Sequence, residues 1–188
     1  MHRRALLLVA ALVLGGCSTG KDAVTQNAGT DSRYVAGDGK TIVYPVGDPK
    51  AAPGVTGSTL DGTKFDLAEQ RGHVVVLNFW ASWCPPCRLE SPDLEAVHQS
   101  TKDSGVAFVG VDSRDTLDAA TSFVAGRVTY PSLFDPAGRV ALSFADVPPT
   151  TLPSTLIVDK AGKVAVVIRA AVRQADLTRL VTQIDTES

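Results

Sequence analysis

Seven consecutive residues, Val74–Trp80, constrain the fold of this chain more than any other segment. Their sequence, VVVLNFW, consists almost entirely of β-branched, aliphatic and aromatic residues. A strand with one face in water would alternate apolar and polar residues, whereas a continuous apolar run is typical of a central strand buried on both faces. We therefore expect a central sheet that is covered by helices on both sides.

The remaining pattern alternates strands and helices around this run. We predict further strands at residues 106–111, 155–158 and 163–168, and an N-terminal β-hairpin formed by residues 55–60 and 64–66. We predict helices at residues 85–99, 115–125, 138–144 and 174–184. The first helix should carry on its buried side Leu89, Leu94 and Val97. Strands that alternate with helices imply a parallel pair and a late hairpin adds an antiparallel edge, so the fold class is α/β, a three-layer sandwich with a mixed central sheet.

The N-terminal residues have the composition of an export signal. Arg3 and Arg4 precede ten apolar residues, 5–14. As a helix these would rise about 15 Å, which is too short to cross a hydrocarbon core of about 30 Å. The small residues before Cys17 resemble the lipobox of bacterial lipoproteins, whose cysteine is lipidated and becomes the mature N-terminus. The resemblance implies a signal peptide at residues 1–16 and lipidation of Cys17; an ordinary secretory signal is the alternative.

Residues 17–50 are rich in Gly, Ser, Thr, Asp and Lys and show little periodicity. They predict a lipidated N-terminus and a flexible tether, with a short strand at residues 41–46, ahead of a domain at residues 51–188. The formal net charge is −2, from 18 basic and 20 acidic residues, so the chain offers no electrostatic case for binding nucleic acid. Because a negative chain is not held to an anionic leaflet by charge, acyl chains would have to anchor it to the cell membrane, on the extracytoplasmic side.

Two cysteines remain once Cys17 is set apart, and they lie at the predicted junction of strand and helix. Cys84 and Cys87 enclose Pro85 and Pro86, and an exported chain meets an oxidising compartment. Free N–H groups and the helix dipole at a helix N-terminus favour a thiolate, so we expect a lowered pKa for Cys84. Cys84 is then the exposed attacking sulfur, and Cys87 is the resolving sulfur behind it. The prolines fit because the first helical N–H groups have no intrahelical partner.

Other uses of the cysteine pair have less support in the sequence. A zinc site needs four ligands, and the chain has three histidines and no further free cysteine, so we predict no metal and no cofactor. A purely structural disulfide that closes so short a loop would constrain little of the unfolded chain. A peroxiredoxin would have a threonine three residues before its attacking cysteine, where this chain has Ala81.

The segment from Asn78 to Cys87, NFWASWCPPC, resembles the active-site segment of the thioredoxin superfamily, and specifically of membrane-tethered TlpA/ResA-like thiol–disulfide oxidoreductases. The resemblance extends over residues 52–186. It implies a thioredoxin-like fold and a lipid-anchored, extracytoplasmic enzyme that acts as a reductant, with apocytochrome c as its client. It also implies a CcdA/DsbD-like membrane thiol transporter that recharges the protein. The alternatives are an oxidant of exported proteins and a copper-delivering lipoprotein, although the latter would separate its cysteines by three residues and use a distant histidine.

The resemblance also implies roles for single residues. Pro153 matches the cis-proline loop that leads into a strand, so the bond after Leu152 should be cis and this loop should offer backbone hydrogen bonds to a substrate. Glu90 is implied to be a proton donor and acceptor for Cys87, and a solvated helix carboxylate is the alternative reading. Asn78 departs from cytoplasmic thioredoxins, which have a buried aspartate there, so the proton role would move to Glu90. Contacts with substrate are expected from Trp83, Pro85, Pro86, Leu152 and Pro153.

Five other polar residues are given no predicted function. Asp112, Asp115 and Asp118 are spaced by three, but no glycine-containing metal loop accompanies them, so we expect them on the solvated surface. His73 and His98 are expected at the surface as well.

Overall fold

The computed structural model describes residues 37–45, 50–145 and 151–188. The predicted signal peptide, the lipidation site at Cys17 and most of the predicted tether lie outside these residues. Among the described residues, no helix combines the length and the hydropathy needed to span a membrane.

The predicted strands and helices are present, with small shifts of their ends. The strands of the described residues are β1 (Thr41–Val43), β2 (Thr56–Ser58), β3 (Lys64–Asp66), β4 (Val74–Trp80), β5 (Val106–Ser113), β6 (Ser132–Asp135), β7 (Ser154–Val158) and β8 (Val164–Ile168). Their α-helices are α1 (Pro85–Thr101), α2 (Leu117–Val124), α3 (Arg139–Ser143) and α4 (Gln174–Glu187). The 3₁₀ turns Leu67–Gln70 and Lys102–Ser104 complete the regular structure of these residues.

One mixed sheet has the strand order β1-β8-β7-β4-β5-β6. Strands β4, β5 and β6 are parallel, and the pairs β4–β7, β7–β8 and β8–β1 are antiparallel. The predicted mixed sheet is therefore confirmed, as is the hairpin of β2 and β3. Strand β1 lies within the segment predicted as a tether, and its pairing with β8 makes it an edge strand of the sheet. The folded part thus includes residues that precede the predicted boundary at residue 51.

Strand β4 is buried along its whole length, as predicted. Its side chains alternate between two apolar cores, because successive strand residues point to opposite faces. Val75, Leu77 and Phe79 lie in one core, where the ring of Phe79 contacts Phe144 at the end of α3. The other core contains Val74 and Val76 of β4 together with these residues of α1 and α4: Leu94, Val97, Leu177, Leu180, Val181 and Ile184. Helices thus cover both faces of the sheet.

Two features of the strands and helices differ from the sequence expectations. Strand β6 was not predicted, because its four residues, SLFD, are too few and too polar at their ends to form an apolar run. Leu89 was expected on the buried side of α1 but is 74% exposed. Leu94 is five residues further along, and five residues turn a helix by about 140°, so Leu89 lies away from the core that holds Leu94.

Candidate active site

Cys84 and Cys87 form a disulfide at the junction of β4 and α1, with their Cα atoms 5.3 Å apart. Cys84 is the N-cap of α1, with extended backbone angles, and its sulfur accepts a hydrogen bond from the backbone N–H of Cys87 at 3.3 Å. Pro85 and Pro86 are the first two residues of the helix. This geometry places the sulfur of Cys84 at the positive end of the helix dipole, the position that favours a thiolate.

Both sulfur-bearing side chains are buried in the disulfide-bonded form. Cys84 is 0% exposed and Cys87 is 2% exposed, so the expectation of an exposed Cys84 is wrong for this form. The reason is that the disulfide is itself apolar, and it belongs to the core that also contains Ala81 and Leu152. The surface next to the disulfide is formed by neighbouring residues: Pro85 is exposed, while Trp83 and Pro86 are half-buried.

The peptide bond between Leu152 and Pro153 is cis, as the resemblance implied. Strand β7 begins directly after it, and Ser154 pairs with Phe79 at the end of β4. This register brings the loop before β7 to the same edge of the sheet as the loop that carries Cys84. Leu152 and Pro153 are both buried.

Glu90 lies one helical turn after Cys87 and is only 1% exposed, so the reading as a solvated carboxylate is wrong. One of its oxygens, Oε1, accepts a hydrogen bond from Asn78 Nδ2, and the other, Oε2, accepts one from the backbone N–H of Val172, each at 2.9 Å. Burial raises the pKa of Glu90 to about 8, although both hydrogen bonds favour the charged form.

Asn78 connects Glu90 with the surroundings of Cys87. Its Nδ2 donates to Glu90 and, at 3.1 Å, to Thr155 Oγ1. Asn78 and Cys87 also line one small cavity of about 10 Å³, together with Ser91 and Ser132. A cavity of this size has room for the centre of one water molecule. With asparagine in place of aspartate, the side chain at this position donates both amide N–H groups, one to Glu90 and one to Thr155, and it borders the cavity at Cys87.

Asp112 was expected on the surface, and this expectation is wrong. Its side chain is 0% exposed, and neither carboxyl oxygen has a hydrogen-bond partner. Strand β5 extends to Ser113, beyond the predicted end at residue 111, and so carries Asp112 into the sheet. The pKa of Asp112 is raised to about 8, mainly by burial and to a lesser extent by the nearby carboxylates of Asp115 and Asp135. Asp118 is exposed, as expected.

Asp115 is a site residue that sequence reasoning missed. It is half-buried, and its Oδ2 accepts the backbone N–H of Ser82, two residues before Cys84, at 2.6 Å. The only signal in the sequence was its place just after a predicted strand, at the edge where the cysteine loop also begins. Within the part of the chain that the structure describes, no group of three His, Cys, Asp or Glu side chains is arranged to hold a metal ion.

His73 and His98 differ in their burial. His73 is exposed, as expected, and its Nδ1 lies 2.9 Å from the carbonyl oxygen of Gly105. His98 is half-buried, contrary to expectation, because its ring packs against Phe108 and Tyr130 at centroid distances of 5.4 and 5.5 Å. This burial lowers the pKa of His98.

The fold and the cysteine pair together define a class of protein: a thioredoxin-like domain whose CxxC disulfide caps the helix that follows the central strand. A comparison with solved structures agrees with this class. The crystal structure of a secreted thiol-disulfide isomerase from Corynebacterium glutamicum superimposes with a TM-score of 0.74 at 33% identity, over 80% of this chain and 95% of that one.

The family follows from the sequence comparisons. The model of the AhpC/TSA family matches residues 49–167, and the chain belongs to this family. Thiol-disulfide oxidoreductase ResA of Bacillus thuringiensis subsp. konkukian is 33% identical over 116 residues, which are 61% of this chain and 65% of that protein. A thiol:disulfide interchange protein of Paracoccus denitrificans, a DsbE homolog, is 36% identical over 120 residues, or 61% and 62% of the two chains. The match thus spans slightly less than two thirds of the length of these relatives.

Proposed function

We propose that this protein is a thiol–disulfide oxidoreductase that acts on exported proteins. The observation that carries the proposal is the Cys84–Cys87 disulfide at the N-terminus of α1, where the backbone N–H of Cys87 points at the sulfur of Cys84. An N–H donor and a helix dipole at one sulfur lower the cost of its thiolate form and make it the attacking group. The names of the ResA and DsbE relatives support the same activity.

The reaction consists of two exchanges. In the reduced protein, the Cys84 thiolate attacks one sulfur of a substrate disulfide, forms a mixed disulfide and releases the other substrate sulfur as a thiolate. Cys87 then loses its proton and attacks Cys84, which forms the 84–87 disulfide and releases the second substrate sulfur. Two electrons pass from the protein to the substrate. Leu152 and Pro153, at the same sheet edge, would receive the substrate strand.

Glu90 is the proposed proton donor and acceptor for Cys87. Its raised pKa, about 8, keeps it mostly protonated at neutral pH in the disulfide-bonded form. A proton is then at hand for the Cys87 thiolate when a partner reduces the disulfide, and the same group takes the proton back when Cys87 attacks Cys84. Asn78 donates to Glu90 and lines the small cavity at Cys87, so it lies between the two groups.

The biological setting is proposed on the resemblance to TlpA/ResA-like proteins. The protein would be exported, anchored to the cell membrane through a lipid on Cys17, and kept reduced by a CcdA/DsbD-like thiol transporter. It would act as a reductant, with apocytochrome c as client. The secreted thiol-disulfide isomerase among the structural neighbours supports an extracytoplasmic location.

Covalent trapping tests the reaction. In Cys87→Ser the second exchange is blocked, so the mixed disulfide with substrate should accumulate and disappear on addition of dithiothreitol. Cys84→Ser is the matched control and should trap nothing, because it lacks the attacking sulfur. Absence of any reducible adduct in Cys87→Ser would show that the proposed reaction is wrong.

The reduction potential of the Cys84–Cys87 pair tests the direction. A value below about −220 mV is expected for a reductant, whereas a value near about −120 mV would identify an oxidant of exported proteins. The measurement is an equilibrium titration of the purified protein against glutathione or dithiothreitol buffers.

Glu90→Gln tests the proton role. The glutamine keeps the size of the side chain but cannot exchange a proton, so the rate of disulfide reduction should fall by about tenfold or more at neutral pH. Glu69→Gln, an exposed glutamate in the turn before β4, is the control and should leave the rate unchanged. Equal rates for the two variants would remove Glu90 from the mechanism.

A further inference from the structure

The turn between β5 and α2 holds the two residues that precede Cys84. The backbone N–H of Ser82 donates to Asp115 Oδ2 at 2.6 Å, and Trp83 Nε1 donates to the carbonyl oxygen of Arg114 at 3.1 Å. Asp115 Oδ1 is occupied as well, by the backbone N–H of Thr116 at 2.8 Å. Because both contacts reach the cysteine loop from a distant part of the chain, the position of Cys84 depends on this turn.

The turn itself has an uncommon backbone. Arg114 has a φ of 60°, and no other non-glycine residue of the described part of the chain has a positive φ. This left-handed conformation is unfavourable for a residue with a side chain, and it persists where surrounding contacts hold it. One such contact is the hydrogen bond from the backbone N–H of Arg114 to the carbonyl oxygen of Asp135, at 3.2 Å.

Asp112 lies next to this turn, fully buried, and no donor reaches either of its oxygens. Its sheet neighbours are uncharged: Trp80 on β4 and Phe134 on β6. The charged groups that act on it are two carboxylates, Asp115 in the turn after its own strand and Asp135 at the end of β6. A buried carboxylate with no donor and two acidic neighbours is strongly disfavoured.

Protonation resolves this conflict. As a neutral acid, Asp112 has one O–H to donate, and Asp115 is the side chain within hydrogen-bonding reach. Both Asp115 and Asp135 already accept backbone N–H groups at their two carboxyl oxygens. Asp135 differs in that it acts on Asp112 through its charge alone, without a side-chain hydrogen bond.

We propose that Asp112 and Asp115 form a carboxylic acid–carboxylate pair that positions Cys84, with Asp112 donating its proton to Asp115 and Asp115 holding the N–H of Ser82. The proposal rests on the proposed role of Cys84 as the attacking sulfur. Both aspartates are positioning residues. When Asp112 loses its proton, the negative charges of Asp112 and Asp115 repel each other. The hydrogen bonds from Ser82 and Trp83 to this turn then weaken. The exchange activity of Cys84 should therefore decline at alkaline pH.

Infrared spectroscopy of the folded protein tests the protonation directly. Among the residues that the structure describes, two buried carboxyl groups are expected to be neutral at about pH 6, Glu90 and Asp112, and both contribute to the C=O band of protonated carboxylic acids. Asp112→Asn should remove part of this band, and Glu90→Gln the other part. Asp118→Asn, an exposed residue of α2, is the matched control and should leave the band intact. An unchanged band in Asp112→Asn would overturn the proposal, whatever the role of Cys84.

The rate of exchange tests the positioning. The reduced protein is mixed with a small neutral aromatic disulfide, and the rate constant is measured between about pH 6 and pH 9. In the wild type and in Asp118→Asn the rate should decline above about pH 8, whereas in Asp112→Asn this decline should be absent, because the amide keeps a donor toward Asp115 at every pH. Asp115→Ala, which removes the acceptor for Ser82, should react about tenfold more slowly at neutral pH. Identical pH profiles for Asp112→Asn and Asp118→Asn would contradict the proposal, and so would a normal rate for Asp115→Ala.

Discussion

Glu90 and Asp112 show how the surroundings of a carboxyl group, more than its burial, decide what it can do. Burial raises the pKa of both groups to about 8. Glu90 has two donors, from Asn78 and Val172, which support its charged form, and this fits its proposed role as proton donor and acceptor. Asp112 has no donor, so its charged form is unsupported and its proton is better held than exchanged. The first group suits proton transfer and the second suits positioning.

The sequence did not reveal these environments. The sequence around Glu90 is typical of the polar start of a helix. The backbone N–H that donates to Glu90 belongs to Val172, which is 82 positions further along the chain. Asp112 directly follows an apolar run. At that point the pattern is equally consistent with a continued buried strand and with a strand that ends at the surface. Burial of single polar side chains depends on long-range packing, which hydrophobic periodicity does not report.

Leu89 is expected to contact protein substrates. It is 74% exposed, and it lies one turn beyond Pro85 and Pro86 on the surface next to the disulfide. Leu89→Ser should weaken binding of a protein disulfide such as insulin by about tenfold, because the apolar area that it buries in the complex is lost. The measurement is the concentration dependence of the reduction rate, in which KM should rise and kcat should change little.

The matched control is Leu142→Ser, an equally apolar and 63% exposed position on α3. Neither substitution should change the rate with a small aromatic disulfide or the thermal stability, because both side chains are in solvent. A KM that rises to the same extent in both variants would mean that Leu89 has no particular role in substrate binding.

At the scale of elements, local signals determined most of what could be predicted. The apolar run of β4 and the two prolines at the start of α1 fix the strand–helix junction, and the structure places the cysteines there. Strand β6 could not be predicted, because it owes its conformation to pairing with β5 and has no strong pattern of its own. The cis bond before Pro153 likewise followed only from the resemblance to known proteins, since most prolines are trans.

The packing of β5 against its neighbours requires glycine at residue 110. A Cβ atom there would lie 2.2 Å from Ser132 Oγ and 2.6 Å from Trp80 Nε1, much closer than atoms approach in proteins. Gly110→Ala should therefore lower the free energy of unfolding by about 1–3 kcal/mol, the usual cost of overpacking. Chemical denaturation monitored by tryptophan fluorescence measures this loss.

Gly54→Ala serves as the control, since a Cβ at residue 54 would meet no atom within 4 Å. It should leave the stability unchanged or raise it slightly through a less flexible unfolded chain. Equal stabilities of the two variants would show that β5 and its neighbours adjust without cost.

At the scale of the whole described domain, parallel strands bring the chemistry to one edge. The carboxyl ends of β4, β5 and β6 lead to Cys84, to the turn with Asp115 and to Asp135, and the start of β7 brings the cis-proline loop to the same place. Residues that are far apart in sequence therefore lie near one disulfide. This arrangement also buries the carboxyl groups of Glu90 and Asp112, and their burial makes the stability of the domain depend on pH.

The stability should fall as the pH rises from about 5 to 8. In this window the folded protein keeps the protons of Glu90 and Asp112, whose pKa values are raised to about 8, whereas the unfolded chain releases them near its ordinary values of about 4. Unfolding thus releases protons and is favoured by higher pH, by up to about 1.4 kcal/mol per pH unit for each group.

Urea denaturation at a series of pH values should show a shallower decline for Glu90→Gln than for wild type, and the shallowest for Glu90→Gln combined with Asp112→Asn. His98, whose lowered pKa acts in the opposite direction, is common to all of these proteins and cancels in the comparison. Asp38 affects the pH dependence of stability only below this window, because the hydrogen bond from Arg169 lowers its pKa to about 2. A wild-type slope no steeper than that of the double variant would mean that the two carboxyl groups are already charged in the folded protein at neutral pH.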